Sequence, residues 1–197
     1  MKQTEIIIKM AKDNNGIVTN VMIDQAGISR GNLKYLTDLG RIERTARGVY
    51  TLLEIVEDEF VNLQTRFKRG IFSHESSLFL YDLSDRTPNI YHMTFPTTYN
   101  LTAVKHENIR CTQIVDSLYS VGVEEIASPG GNLVKTYCME RTLCDILKSR
   151  NRADMQIVTD AFKRYTKRKD KNIPLLSYYG RVFKVEMKLR SYLEVLL

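Results

Sequence analysis

The chain has 197 residues, 43% of them hydrophobic, with 11 Tyr and 7 Phe, which is the composition of a folded globular protein and excludes a disordered one. Its 29 Lys and Arg outnumber its 23 Asp and Glu, for a formal charge of +6 and a pI near 9.2, and this balance suits a polyanionic partner. No apolar run approaches the roughly 18 residues of a bilayer-spanning helix, so no membrane role is expected.

The N-terminal MKQTEIIIKMAKDNN carries charges through its short apolar run and has no small-residue cleavage site. It reads as a helix over 4–12, with Ile6, Ile7, Met10 and Ala11 on its packing face, and not as a signal peptide. Cys111, Cys138 and Cys144 are odd in number and share no metal-ligand spacing. Three buried, reduced thiols in a cytoplasmic protein are expected.

Residues 18–52 are the most informative stretch. Thr19 or Asn20 can cap a first helix, with Met22, Ile23 and Ala26 on one face. Gly27 supplies the positive φ of a sharp turn, Ile28 plugs the corner, and Ser29 caps a second helix. Leu33 and Leu36 then point inward, leaving Arg30, Gly31, Asn32, Lys34 and Tyr35 outward. Gly40 ends that helix, and strands over 41–44 and 49–52 are joined by Thr45, Ala46, Arg47 and Gly48. Helix, turn, helix and basic hairpin make the outline of a winged helix-turn-helix, whose second helix offers its N-terminal residues to a major groove. Between Ile28 and Tyr50 the cations Arg30, Lys34, Arg41, Arg44 and Arg47 face only Asp38 and Glu43. Surface charge adds little to stability, so such clustering points to a polyanion.

The rest reads as a second domain. Residues 53–68 are amphipathic, with Ile55, Val56, Phe60, Leu63 and Phe67 near helical spacing, and the domain boundary is expected near Glu54. A helix over 73–81 is expected behind a Ser73 cap, with strands over 90–95, 109–115, 119–126 and 132–137 and a turn at Pro129-Gly130-Gly131. Helical patterns follow over 139–148, 154–165 and 185–197. The fold class is therefore α+β: an N-terminal winged helix-turn-helix domain over 1–53, then a mixed α+β domain over 54–197 ending in helices.

No catalytic, cofactor-binding or metal constellation is evident. His74, His92 and His106 show no metal spacing and follow no nucleophile elbow. Glu186-Met187-Lys188 matches half of a nuclease carboxylate–lysine signature, but it falls in a helical pattern and lacks an upstream Pro-Asp. Pro129-Gly130-Gly131-Asn132 lacks the lysine and following helix of a phosphate loop. A second basic region is harder to dismiss: Lys148, Arg150, Arg152, Lys163, Arg164, Lys167, Arg168, Lys169 and Lys171 outnumber Asp154, Asp160 and Asp170. Within it, Lys163, Arg164, Lys167, Arg168, Lys169 and Lys171 form a candidate patch for DNA backbone or an acidic protein, or else a solvated helix end.

Several motifs in order resemble one family. Arg47-Gly48-Val49-Tyr50 closes the wing as in a large group of bacterial regulators. SHESSLFLYDLSD over 73–85, the strand over 90–96 ending in Pro96, and Glu140-Arg141-Thr142-Leu143-Cys144-Asp145 look like the successive elements of that group's second domain. Together, over about residues 4–150, they resemble the AbiEi-type antitoxins of AbiE abortive-infection, type IV toxin–antitoxin systems; beyond Arg150 the pattern fades. The resemblance implies a phage-defence antitoxin that is not an enzyme and represses its own operon by binding inverted repeats in the promoter. It implies a nucleotidyltransferase-like toxin as functional partner, without a stable complex. DNA contact is carried over to Ser29, Arg30, Asn32, Lys34, Tyr35, Arg44 and Arg47.

No dimerisation heptad is present, so a monomer with two copies meeting on DNA is expected. The rival reading is a protein-interaction module whose second domain neutralises the toxin by direct contact while the DNA-binding head sets dose.

Overall fold

The computed structural model describes residues 3–53, 58–148 and 154–196. The boundary expected near Glu54, the apolar Ile55 and Val56, and the cations Arg150 and Arg152 lie outside the described residues. The chain divides into two compact units, Met1–Lys68 with Ala127–Val134, and Arg69–Ile126 with Lys135–Leu197. Helices and strands are mixed in an α+β order.

In the first unit α1 (Gln3–Asp13) leads to β1 (Ile17–Thr19), a short strand absent from the expectation. Then come α2 (Asn20–Gln25), α3 (Gly31–Asp38), β2 (Ile42–Ala46) and β3 (Val49–Leu52). The sheet order is β1-β3-β2, with both pairings antiparallel. Thr19 caps α2 by accepting from the Met22 N–H at 3.3 Å. Gly27 turns out of α2 at φ +66°, a conformation costly for any residue with a Cβ. Ile7, Ala11, Val18, Ile23, Ile28, Leu33, Leu36, Ile42 and Leu52 form one core. Burying each of these Leu or Ile side chains stabilises the unit by about 1.5–3 kcal/mol before entropy is counted.

Two local expectations change. Ala26 does not share the inward face of Ile23; it is exposed, because α2 ends at Gln25 and Ala26 is its C-cap. Arg30 holds the N-cap position of α3 without a side-chain cap bond, and Ser29 Oγ accepts instead from the Gly31 N–H at 3.3 Å. After the undescribed residues, Asp58 caps α4 (Glu59–Arg66) by accepting from the Val61 N–H.

The second sheet has the order β6-β5-β4-β8-β7, built from β4 (Ile71–Phe72), β5 (Tyr91–Pro96), β6 (Ile109–Ile114), β7 (Val123–Ala127) and β8 (Leu133–Tyr137). β5 runs parallel to β6 and antiparallel to β4, while β4 and β8 are parallel. The strand expected over 119–126 starts only at Val123, because residues 116–119 form the short helix α6 (Asp116–Tyr119) and Gly122 turns at φ +69°. A Cβ on Gly122 would sit 3.0 Å from Tyr179 Oη and 3.2 Å from Cys138 Sγ.

Helix α5 (His74–Leu80) starts behind Ser73, whose side chain makes no cap bond and accepts instead from Thr94 Oγ1 at 2.9 Å. Helix α7 (Met139–Ile146) is buried along its whole length and contacts α5, α8 (Met155–Lys167) and α9 (Ile173–Val182). α10 (Glu186–Leu196) ends the described chain. No helix was expected over 173–182; Pro174 stands in its first turn, where its missing N–H is tolerated.

Glu140-Arg141-Thr142-Leu143-Cys144-Asp145 lies in α7 and is entirely buried. Glu140 accepts from Tyr165 Oη at 2.9 Å and from the Asn172 N–H at 3.2 Å, tying α8 to the start of α9. Arg141 donates to the Leu118 carbonyl at 2.7 Å and to that of Val121, and pairs with Asp145 at 3.4 Å. Its guanidinium carbon lies 3.3 Å from the Tyr137 ring centroid and 4.8 Å from that of Phe183. Thr142 Oγ1 reaches the Tyr137 carbonyl and Ser77 Oγ, each at 3.1 Å. Glu140, Arg141 and Thr142 of this motif therefore tie neighbouring elements together from inside. Cys138 and Cys144 are buried and free, whereas Cys111, expected to be buried too, is half-buried because β6 is an edge strand of the sheet.

Candidate nucleic-acid interface

Arg30, Lys34 and Tyr35 are exposed at the start and along the outer face of α3, while Leu33 and Leu36 anchor its inner face. Tyr35 is 55% exposed. Lys34 and Arg47 have no hydrogen bond or ion pair among the described residues. Ser29 is exposed at the turn.

The other groups are held. Arg30 forms a two-point ion pair with Asp24, Nε to Oδ1 at 2.9 Å and Nη2 to Oδ2. Hydrogen bonding to Arg30 lowers the Asp24 carboxyl below its ordinary value, and the same bond raises Arg30. Asn32 Nδ2 donates to Gln3 Oε1 at 2.8 Å and to the Ser29 carbonyl at 3.0 Å. Sequence reasoning missed Asp24 as the partner of Arg30. The signal was present, since a helical Asp six residues before an Arg across a tight Gly turn brings the two within reach.

The hairpin is tighter than expected. β2 continues to Ala46, a register shift falls between Arg44 and Ala46, and the turn is Arg47-Gly48 with Gly48 at φ +78°. Arg44 Nε donates to the Ala46 carbonyl at 3.4 Å across that irregularity. The Asn20 N–H donates to the Gly48 carbonyl at 2.9 Å, so the wing turn is fastened to the start of α2. The two helices and the hairpin thus share one core, an arrangement consistent with a winged helix-turn-helix.

In the second unit the basic patch is partly consumed by packing. Arg164 pairs with Asp85 at 2.9 Å, and Arg168 grips Asp170 through two 2.8 Å bonds while donating to the Tyr81 carbonyl at 3.0 Å. Lys171 donates to the Arg168 carbonyl at 3.1 Å. Lys163, Lys167 and Lys169 remain exposed and unpaired among the described residues. Glu186 and Lys188 lie in a helix, exposed, and Lys188 donates to the Leu147 carbonyl at 3.1 Å. Among the described residues no group of three or more His, Cys, Asp and Glu is placed to hold a metal, and no helix is long and apolar enough to cross a membrane.

One titration in this unit is large. Burial, the neighbouring His74 and Arg110 lower the His92 imidazole to about 3 from an ordinary 6.5. Above pH 6.5 both folded and unfolded forms are neutral. Below it the unfolded chain takes up a proton that folded His92 refuses until about pH 3, so stability falls over that window. The expected slope from this group is about 1.4 kcal/mol per pH unit. Urea unfolding at stepped pH checks this: His92→Gln should flatten the slope, and an unchanged slope would assign it to other groups.

Residues 5–53 match the family described as "Transcriptional regulator, AbiEi antitoxin". The fold is similar to the crystal structure of the RV2827C protein from Mycobacterium tuberculosis, with a TM-score of 0.58 at 14% identity over 90% of this chain and 72% of that one. No curated protein matches the chain by sequence.

Proposed function

Taking as premise that residues 5–53 are an AbiEi-antitoxin type of transcriptional-regulator segment, we propose that the chain is the antitoxin of a type IV phage-defence system and represses its own operon. In this reading two copies bind inverted repeats in the promoter, each through α3 and the wing. The observation that carries it is that the matched segment leaves Lys34 on the outer face of α3 and Arg47 at the hairpin turn exposed and with unpaired side chains. A major groove takes the start of a recognition helix. Arg30 and Lys34 have the chemistry to read guanine O6 and N7, Asn32 an adenine edge, and Tyr35 a phosphate or a thymine methyl. Arg44 and Arg47 hold the wing to the backbone or an adjacent minor groove, with Ser29 donating to a phosphate.

Arg47 has nothing to release before it meets DNA. Arg47→Ala should therefore weaken cognate and random duplexes alike and lower the slope of log affinity against log salt by about one. An unchanged slope in a salt-stepped titration would remove the wing from the interface.

The functional partner in this reading is a nucleotidyltransferase-like toxin, countered without a stable complex by a cytoplasmic protein. The test is growth of cells expressing the adjacent toxin, with wild-type chain or with Arg30→Ala/Lys34→Ala, together with a promoter reporter. The expected outcome is rescue by both chains, loss of repression by the variant alone, and no co-purification. Co-purification of toxin and chain would instead favour direct neutralisation, with Lys163, Lys167 and Lys169 as the available cations.

A further inference from the structure

Independently of DNA binding, the second unit contains a polar cavity of about 260 Å³ walled by Arg86, Arg110, Ser84, Glu75 and His92. His92 lies on β5 and is only 6% exposed. Neither of its ring nitrogens is hydrogen-bonded among the described residues. Neither ring nitrogen is buried without a partner, so the imidazole opens on the cavity, where water or a ligand can take its ring N–H.

The walls are held in place. The His92 backbone N–H donates to Ser76 Oγ at 2.8 Å, and the His74 ring lies 5.6 Å from the His92 ring. Parallel register sets Arg110 on β6 directly opposite His92. The loop carrying Arg86 is shaped by its own bonds: the Arg86 N–H donates to Ser84 Oγ at 3.2 Å, and Asn108 donates to the Asn89 carbonyl.

We propose that this cavity binds a phosphate monoester, with Arg86 and Arg110 taking phosphoryl oxygens and His92 donating a ring N–H to a third. Planar guanidinium forks match the phosphoryl geometry. A neutral imidazole offers one donor without adding charge, and burial with its two cationic or titratable neighbours keeps His92 neutral at pH 7. The volume lies just below the range of drug-sized pockets, so it admits a terminal phosphate on a short stem. A phosphodiester continues on both sides and does not end in such a cavity, which excludes DNA backbone as the occupant. Glu75 in the wall can take an ammonium on the stem.

The test follows the His92 side-chain nitrogen resonances of the full ¹⁵N-labelled chain during titration with O-phospho-L-serine, inorganic phosphate, or sodium chloride at matched ionic strength. The expected result is a saturable shift with O-phospho-L-serine at a Kd of about 1 mM or tighter, and binding at least fivefold weaker for inorganic phosphate. Arg86→Gln and Arg110→Gln change exposed side chains and should each weaken binding roughly tenfold with the amide spectrum otherwise kept. No saturable shift by about 20 mM, an equal shift with chloride, or unchanged binding in both variants would overturn the site. Inorganic phosphate binding as tightly as O-phospho-L-serine would overturn the monoester assignment.

Discussion

Arg141→Ala is expected to destabilise the second unit by about 3–5 kcal/mol, the sum of two carbonyls stripped of their donor at about 1 kcal/mol or more each and of the large volume vacated. The side chain is fully buried, and its Nη1 supplies the donor for the carbonyls of Leu118 and Val121. Removing it leaves those half-buried acceptors without their donor, and it takes the cation from the Tyr137 and Phe183 rings. Asp145 keeps Lys148 as a partner, so the cost falls mainly on the two carbonyls and the vacated volume. Arg141→Met restores most of the volume and none of the donors. It should recover only a minor part of the loss in a urea titration of the full chain. A loss below about 1 kcal/mol for Arg141→Ala would mean that water replaces the guanidinium, contrary to its role as an internal clamp.

Arg30→Ala is expected to weaken cognate DNA roughly ten- to a hundredfold while changing random-duplex affinity little. The Asp24 ion pair adds a condition to that expectation. Free Arg30 is held in a fixed fork, so contact with guanine requires exchange of Asp24 for the base edge or use of the guanidinium's remaining N–H groups. Asp24→Asn removes a carboxylate that repels phosphate and releases the fork. It should therefore strengthen binding to every duplex, and more so at low salt. Equal losses on cognate and random DNA for Arg30→Ala would reduce this residue to a phosphate contact. No loss on either would leave Arg30 as a structural clamp on the corner between α2 and α3.

Much of the first unit is legible in the sequence because local rules decide it. Gly27 needs its positive φ, Leu33 and Leu36 need an inward face, and Arg47-Gly48 makes a turn wherever it is placed between two β-forming runs. The second unit is less legible because distant residues decide it. Glu140 reads as an ordinary helical carboxylate until Tyr165 and Asn172 arrive to use it, and periodicity carries no trace of that encounter. Pro174 stands in the first turn of α9, and Gly180 within it lets Leu189 approach closely: a Cβ on Gly180 would sit 2.8 Å from Leu189 Cδ2.

The candidate site divides in the same way. Exposure of Arg30, Lys34 and Tyr35 follows from helical spacing against Leu33 and Leu36. The tethers on Arg30 and Asn32 do not, since they depend on where Asp24 and Gln3 are brought by the turn and by α1. The basic patch over 163–171 shows the same limit: composition counts its cations, but only packing reveals that Arg164 and Arg168 are already engaged.

Operator reading by this chain stands or falls on a titration of the purified full chain against labelled duplex from immediately upstream of its own coding sequence, beside a scrambled duplex of equal length, at stepped salt. The expected result is a preference of roughly 10³-fold or more for the upstream duplex, with a steep salt dependence. Equal, weak binding to both duplexes would contradict it.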